Sequence, residues 1–441
     1  MRGVPKNTAG LLLAAAIIGP GGGAPHAYAA DLGGDCCADL EERVAELEAT
    51  TARKGNRNVS LTVSGWVSEE IAWWDDGTES NAYVGTNPVE QSRVRFVGEA
   101  RISHDWSAGY FLELGVFGGN GGKWAQNNPD GASPNSVSVR KSSWFVMNPK
   151  LGRVLVGQDG TSTYHLLDDS DTTMTRNFFD GEGAPDYQAG FFVRSGGSFV
   201  AAPGGGNLKW SDIMRGFNNS TPGDDGRRNI VRYDSPTIAG FTYTVTWGED
   251  DIFDTALIYR GGFGDFNINA RAGYGHSTDE RSTVCHSGPA GFRADCEWWG
   301  ASGFVQHKPT GLFVFAGYGE QNDNTRASDA GTDAALVDKT DDVWFVQAGI
   351  EQKWLPLGKT NVFTQYRRDA PGSNVTGGTL RTQNADIEYW SGGVAQYLDN
   401  AETMLYLVYQ HADGDVILGN DVGSTKLDTM QQVIGGVKVN F

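Results

Sequence analysis

From Val59 to the C-terminus the chain keeps a two-residue beat of apolar and polar positions. In "NVSLTVSGWV", Val59, Leu61, Val63 and Val67 fall on one face and Ser60, Thr62, Ser64 and Ser68 on the other. In "RVRFVGEARI", Val94, Phe96, Gly98, Ala100 and Ile102 share one side, while Arg93, Arg95, Glu99 and Arg101 lie opposite with Val97. Strict alternation marks a half-buried strand, and a face carrying three arginines has to be wet. Roughly sixteen such runs succeed one another, an even number, as single-chain bacterial barrels require. Tight connections such as "NPKLG", "HKPTG" and "LDNAE" alternate with longer polar ones at residues 118–138, 276–296, 320–341, 368–383 and 412–427. Short turns at one end and long loops at the other predict an all-β, closed antiparallel transmembrane barrel.

The last strand fits the same frame. Val433, Gly435, Val437, Val439 and the terminal Phe441 share a face, with Gln432, Gly436, Lys438 and Asn440 opposite and Ile434 as the exception. A final aromatic on the apolar face resembles an outer-membrane assembly signal.

The beat stops once, from Gln158 to Asp225. The acidic "LLDDSDTTM", then "NFFDGEGAPDYQAGFF" and the glycine-rich "SGGSFVAAPGGG" replace it. An insertion of this length is uncommon in a compact domain and is usually functional. It is expected to narrow the pore, its second half bringing the chain back to the wall.

Ahead of the barrel, Arg2 and Lys6, the apolar "AGLLLAAAII" and Ala27-Tyr28-Ala29 have the form of a secretory signal peptide over residues 1–29. Residues 30–55 hold a short coiled-coil-like helix: Cys37, Leu40, Val44, Leu47 and Thr51 recur at alternating three- and four-residue spacings. It either docks on its own domain or joins subunits. The barrel then occupies residues 56–441.

Composition narrows the class. The net charge of −19 becomes −21 once Arg2 and Lys6 leave with the signal peptide, which argues against nucleic acid as partner. Only 39% of residues are hydrophobic, yet a barrel needs just one apolar face per strand. No G-x-S-x-G, H-E-x-x-H or phosphate-binding G-x-x-x-x-G-K-[ST] motif occurs, so no enzyme is expected.

The segment "CCADLEERVAELEATTARKGN" before "VSLTVSGWV", the strand "SRVRFVGEARI" and the ending "GGVKVNF" resemble the general porins of alphaproteobacteria over essentially the whole mature chain. The resemblance implies an outer-membrane barrel of sixteen strands, a homotrimer, and passive diffusion of small hydrophilic solutes. It also implies that the loop after "GRVLVGQ" folds into the lumen. A substrate-selective channel and a soluble exported β-rich binding protein or hydrolase are the alternatives.

The constriction is expected to set Arg93, Arg95, Arg101, Arg228 and Arg232 of the wall against Asp168, Asp169, Asp171, Asp180 and Glu182 of the loop. Such a transverse field orients polar solutes, while loop bulk sets the size cutoff. The blander reading makes these charges ordinary water-facing lumen residues. Asp168-Asp169-Ser170-Asp171 lacks the spacing of a calcium loop; a solvated acidic surface is the first reading, and Ca²⁺ bridging to lipopolysaccharide the second. No other cofactor is expected. Cys285 and Cys296 enclose ten residues of one loop and should form a disulfide. Adjacent Cys36 and Cys37, at the start of the helical seam, are candidates for bonds between subunits.

Overall fold

The computed structural model describes residues 59–131, 135–181, 183–214, 221–248, 251–278 and 295–441. The expectations for the signal peptide, the N-terminal helix, Cys36, Cys37, Glu182 and Cys285 lie outside the described residues.

Strands begin with β1 (Thr62–Asp75), β2 (Arg93–Arg101), β3 (Ser107–Phe117), β4 (Ser136–Asn148) and β5 (Gly152–Gly160). After the long loop come β6 (Arg227–Asp234), β7 (Phe241–Gly248), β8 (Ile252–Phe263), β9 (Phe266–Ser277) and β10 (Cys296–His307). The series ends with β11 (Leu312–Asp323), β12 (Thr340–Leu355), β13 (Gly358–Ala370), β14 (Thr379–Leu398), β15 (Thr403–Leu418) and β16 (Met430–Asn440). Each pairs antiparallel with the next, and β16 returns to β1 from Trp66↔Asn440 to Asp75↔Gln431. Closure leaves no open edge, the condition for placing strands in lipid. Phe441 finishes the seam: its amide donates to the Gly65 carbonyl at 3.0 Å, and the Gly65 amide donates back at 2.9 Å.

Every alternating run of the sequence lies within or overlaps one strand, but the strands are longer. β11 reaches Asp323, β13 Ala370 and β15 Leu418, inside segments expected to be loop. At the long-loop ends of β11 and β13, Glu320 to Asp323 and Arg367 to Asp369, both faces are polar, so the alternation that betrays a strand fades while the hydrogen-bond ladder continues. One connection at that end, between β7 and β8, is only residues 249–251.

The lumen is not wet all round. Inward-facing Phe304 and Phe315, with Phe345 and Phe363, and then Ile387, Tyr406 and Val408 form one apolar wall over β10–β15. Against it pack Phe178, Phe179, Tyr187, Phe191, Leu208 and Trp210 of the long loop. Burying each large side chain is worth about 1.5–3 kcal/mol, so this contact holds the loop far more firmly than any one polar bond. Ile434, the exception on the wet face of the last strand, is fully buried in this cluster.

Candidate functional site: an eccentric cationic channel

The loop leaves β5 and crosses the lumen on polar anchors. The Ser162 and Thr163 amides donate to the Asp254 carboxylate at 3.1 and 2.7 Å, and the Trp298 indole donates to Thr163 Oγ1 at 3.0 Å. Further across, the Met174 amide donates to Glu351 Oε2 at 2.7 Å and Gln347 Nε2 to Thr175 Oγ1 at 2.7 Å. Its return limb lies flat on β10 and β11. Gly223 has φ +90°, and a Cβ on Gly319 would sit 1.8 Å from the Pro222 carbonyl, so only glycine allows this approach.

The glycine-rich second half does more than bring the chain back. Residues 191–210 fold into a small hairpin, with Val193 N bonded to Leu208 O at 2.9 Å and Leu208 N to Val200 O at 2.8 Å. At its tip the Gly196 and Gly197 amides donate to the Asp428 carboxylate at 2.9 and 2.7 Å. Arg194 Nε donates to Asp76 Oδ2 at 2.6 Å. The hairpin is thereby pinned to the first and last long-side connections.

With this half filled, the passage runs between the loop and strands β2–β9, as a cavity of about 1090 Å³. Ten Arg and Lys side chains line it against five Asp and Glu. Glu113, fully buried on β3, is ringed by Arg95 at 2.5 Å, Arg140 at 2.8 Å and Arg93 at 3.6 Å. The Arg93 and Arg95 guanidiniums each lie 4.4 Å from the Trp66 ring centroid, with Lys438 Nζ at 4.1 Å. One indole thus steadies three cations.

A β-bulge places the next pair. Glu113 registers with Lys141 but Leu114 with Val139, leaving Arg140 as the extra residue. Bulges re-aim side chains, and here consecutive Arg140 and Lys141 both line the cavity. Lys141 meets Asp159 at 2.8 Å, and Arg140 Nη1 donates to Gln91 Oε1 at 2.8 Å.

The loop acids do not form a bare anionic surface, because Arg176 of the same loop stands among them. It lies 3.1 Å from Asp168, 2.9 Å from Asp169, 3.1 Å from Asp180 and 3.7 Å from Glu90. Burial pushes Asp180 up to about 7, helped by neighbouring Asp168, and pushes Asp168 up to about 6. Asp169 is half-buried at the cavity wall; against the cost of desolvation, Arg176 and Arg271 together hold it well below the usual carboxylate range. Asp171 makes no ion pair among the described residues and organises its own turn, accepting from Thr173 N at 2.8 Å and Thr175 Oγ1 at 2.5 Å. Burial raises it to about 6.

Of the residues expected at the constriction, Arg93, Arg95, Arg232 and Asp169 line the cavity. Arg228 is buried behind it with Asp225 at 2.8 Å, and Asp168, Asp171 and Asp180 sit inside the loop. Arg101 is exposed at the turn end of β2, off the cavity. The sequence reading passed over Glu113, Arg140, Lys141, Arg176, Arg227 and Arg271. A lone acid in apolar "YFLELGVF" and a charged pair breaking the beat of "SVSVRKSSWF" were the available signals. Cys296 is buried at the start of β10 and disulfide-bonded; its expected partner is outside the described residues.

A closed sixteen-stranded barrel with an inward loop and a charged passage along one wall defines a transmembrane channel. Residues 12–416 match the sequence model of the Gram-negative porins, and the chain belongs to that family. It is an outer-membrane porin, a channel for passive diffusion. No curated protein matches the chain. Among solved structures it is similar to the anion-selective porin from Comamonas acidovorans, at 14% identity and TM-score 0.54, covering 87% of this chain and 100% of that one. OmpF of Salmonella typhi, solved with daunomycin, is similar at 14% identity and TM-score 0.50, over 87% and 98%. OmpT of Vibrio cholerae gives 13% and 0.50, over 88% and 99%. These likenesses concern the fold.

Proposed function

We propose that the chain works as a homotrimeric general porin of the alphaproteobacterial kind, each protomer passing small hydrophilic solutes and ions through its eccentric cavity. The observation that carries this reading is the long loop's apolar packing, which confines water and solute to the charged passage along β2–β9. The outer wall supports the trimer. Outward Tyr274, Trp299, Tyr318, Trp344, Tyr366, Trp390 and Tyr409 form an aromatic belt over β9–β15, the signature of a lipid interface. Near the long-loop ends of β1, β3 and β4 the exposed side chains are mostly aliphatic, Ile71, Val116 and Val137 among them, with Trp73 the aromatic exception. An aliphatic wall suits another copy of the chain, and OmpT of Vibrio cholerae is described in a trimer form.

Acidic outward side chains accompany the belt: Tyr274, Tyr318 and Tyr366 donate to Glu297, Glu320 and Glu388 at 3.1, 2.9 and 2.9 Å. Ca²⁺ between such carboxylates and lipopolysaccharide phosphates belongs to the same reading, with the lipid supplying ligands. Planar-bilayer recording of the purified protein tests the whole: conductance steps that close in three equal levels are expected. Steps in single levels would remove the trimer, and no steps would remove the channel.

A further inference from the structure

The chain is acidic, yet its passage is not. Acids outnumber bases by 19 over the whole chain, whereas bases outnumber acids two to one around the cavity. The lumen's carboxylates are also spoken for. Three arginines hold Glu113, Arg176 and Arg271 hold Asp169, and Arg153 and Arg232 hold Asp234 at 2.6 and 3.0 Å.

Arg227, like Arg260 further along the wall, is different. Among the described residues no carboxylate comes within ion-pair distance of it. Its Nη1 donates to the Tyr164 phenolic oxygen at 2.6 Å, with its Cζ 5.5 Å from the ring centroid. Lys141 Nζ, which pairs on its other side with Asp159 at 2.8 Å, lies 5.5 Å from the same ring. Tyr164 belongs to the inward loop, so the loop sets one phenol beside two cations of β4 and β6, the strands on either side of β5, at the cavity wall. Bulged Arg140 lines the same cavity.

From this we infer that the channel selects anions, and that Arg227, Lys141 and Tyr164 form a station at which small oxyanions pause. The inference rests on the channel reading and names its substrate class. A guanidinium presents a planar fork that matches carboxylate and phosphate geometry, an ammonium adds a point charge, and a phenol can donate to the same oxygens. Monatomic anions use only the charge; carboxylates and phosphates use the fork as well. A cleft in which one sign predominates, with low-dielectric walls, concentrates such ions and raises their flux, and two further lining cations, Arg232 of β6 and Arg260 of β8, extend the path.

The experiment is reversal-potential recording in a KCl gradient, followed by titration of inorganic phosphate into symmetric KCl. Wild type should reverse on the chloride side, and phosphate should reduce the chloride current with saturation. Arg227→Gln should lower the chloride-to-potassium permeability ratio by roughly twofold or more and abolish saturable block. Arg227→Lys should restore the ratio but weaken the block, and Arg101→Gln, outside the cavity, should change neither. If Arg227→Gln does not assemble, Arg227→Lys alone decides: block equal to wild type overturns the station. Channels that reverse on the potassium side overturn the anion inference and leave the porin intact. Absence of channels overturns the porin reading itself.

Discussion

Arg176 lies 2.9 Å from Asp169, seven residues earlier in the same loop. The cation shared by the loop's acids therefore comes from the loop, with Arg271 of the wall adding to Asp169 at 3.0 Å, while Arg93, Arg95 and Arg140 gather on Glu113. Removing Arg176 would take away the cation shared by Asp168, Asp169, Asp180 and Glu90, leaving Asp169 to Arg271 at 3.0 Å and Glu90 to Arg93 at 3.1 Å. Breaking a buried ion cluster by deleting one partner costs about 3–5 kcal/mol. Arg176→Gln should accordingly lower the unfolding midpoint and produce flickering single-channel currents; an unchanged midpoint with quiet currents would contradict the assignment.

The three neighbouring aspartates should separate cleanly. Asp169 lines the cavity, so Asp169→Asn should move selectivity towards anions. Asp171 serves Thr173 and Thr175, so Asp171→Asn should leave selectivity alone and destabilise by about 1–3 kcal/mol, the scale of a lost buried hydrogen-bond partner. Reversal potentials and denaturant curves of the two variants check this. Equal selectivity shifts in both would contradict it.

How much of this was legible in the sequence follows from what each residue contacts. Sixteen strands, their order and the position of the inward loop were readable, because lipid imposes an apolar outer face on every strand. The loop's second half was not. Phe191, Val193, Leu208 and Trp210 carry no local period and gain meaning only against Phe345, Ile387 and Tyr406, distant in the chain. Arg140 was hidden for another reason: a bulge adds one residue, so its inward aim contradicts the beat that identifies its strand. Arg101 was over-read, since alternation assigns a face but cannot tell the middle of a strand from its end.

Acidity should tune the channel. Asp180 sits at about 7 and Asp168 and Asp171 at about 6, all raised above the ordinary carboxylate value of about 3.9. A raised group stabilises the folded loop fully below its unfolded pKa, and that contribution is lost as pH rises through about 6 to 7. Protonation also removes negative charge beside Arg176. Anion preference and loop stability should both rise as pH falls from 8 to 5, measured by reversal potential and by unfolding at each pH. Asp169, held low by its arginines, works in the opposite direction only at more acidic pH. A flat profile between 8 and 5 would contradict this account.

A buried polar knot should matter as much as charge. Glu70 Oε2 accepts from the Tyr406 hydroxyl and Asn87 Nδ2, both at 2.9 Å, and Asn87 Nδ2 also lies 2.9 Å from the Tyr187 hydroxyl. Wall, first connection and long loop meet there. Tyr406→Phe should destabilise by about 1–3 kcal/mol without altering selectivity, because the knot lies off the cavity. Unfolding and reversal-potential measurements on this one variant check both halves.

The central claim is that solute passes along the β2–β9 wall while the opposite half of the lumen is closed by the loop. Single cysteines at Ser138, which lines the cavity, and at Gln365, which is inward-facing but buried behind the loop, test it most directly. A charged thiol reagent added to open channels should reduce conductance of Ser138→Cys at once and leave Gln365→Cys and the parent protein unchanged. Rapid block of Gln365→Cys, with Ser138→Cys unaffected, would place the pathway on the other side of the loop.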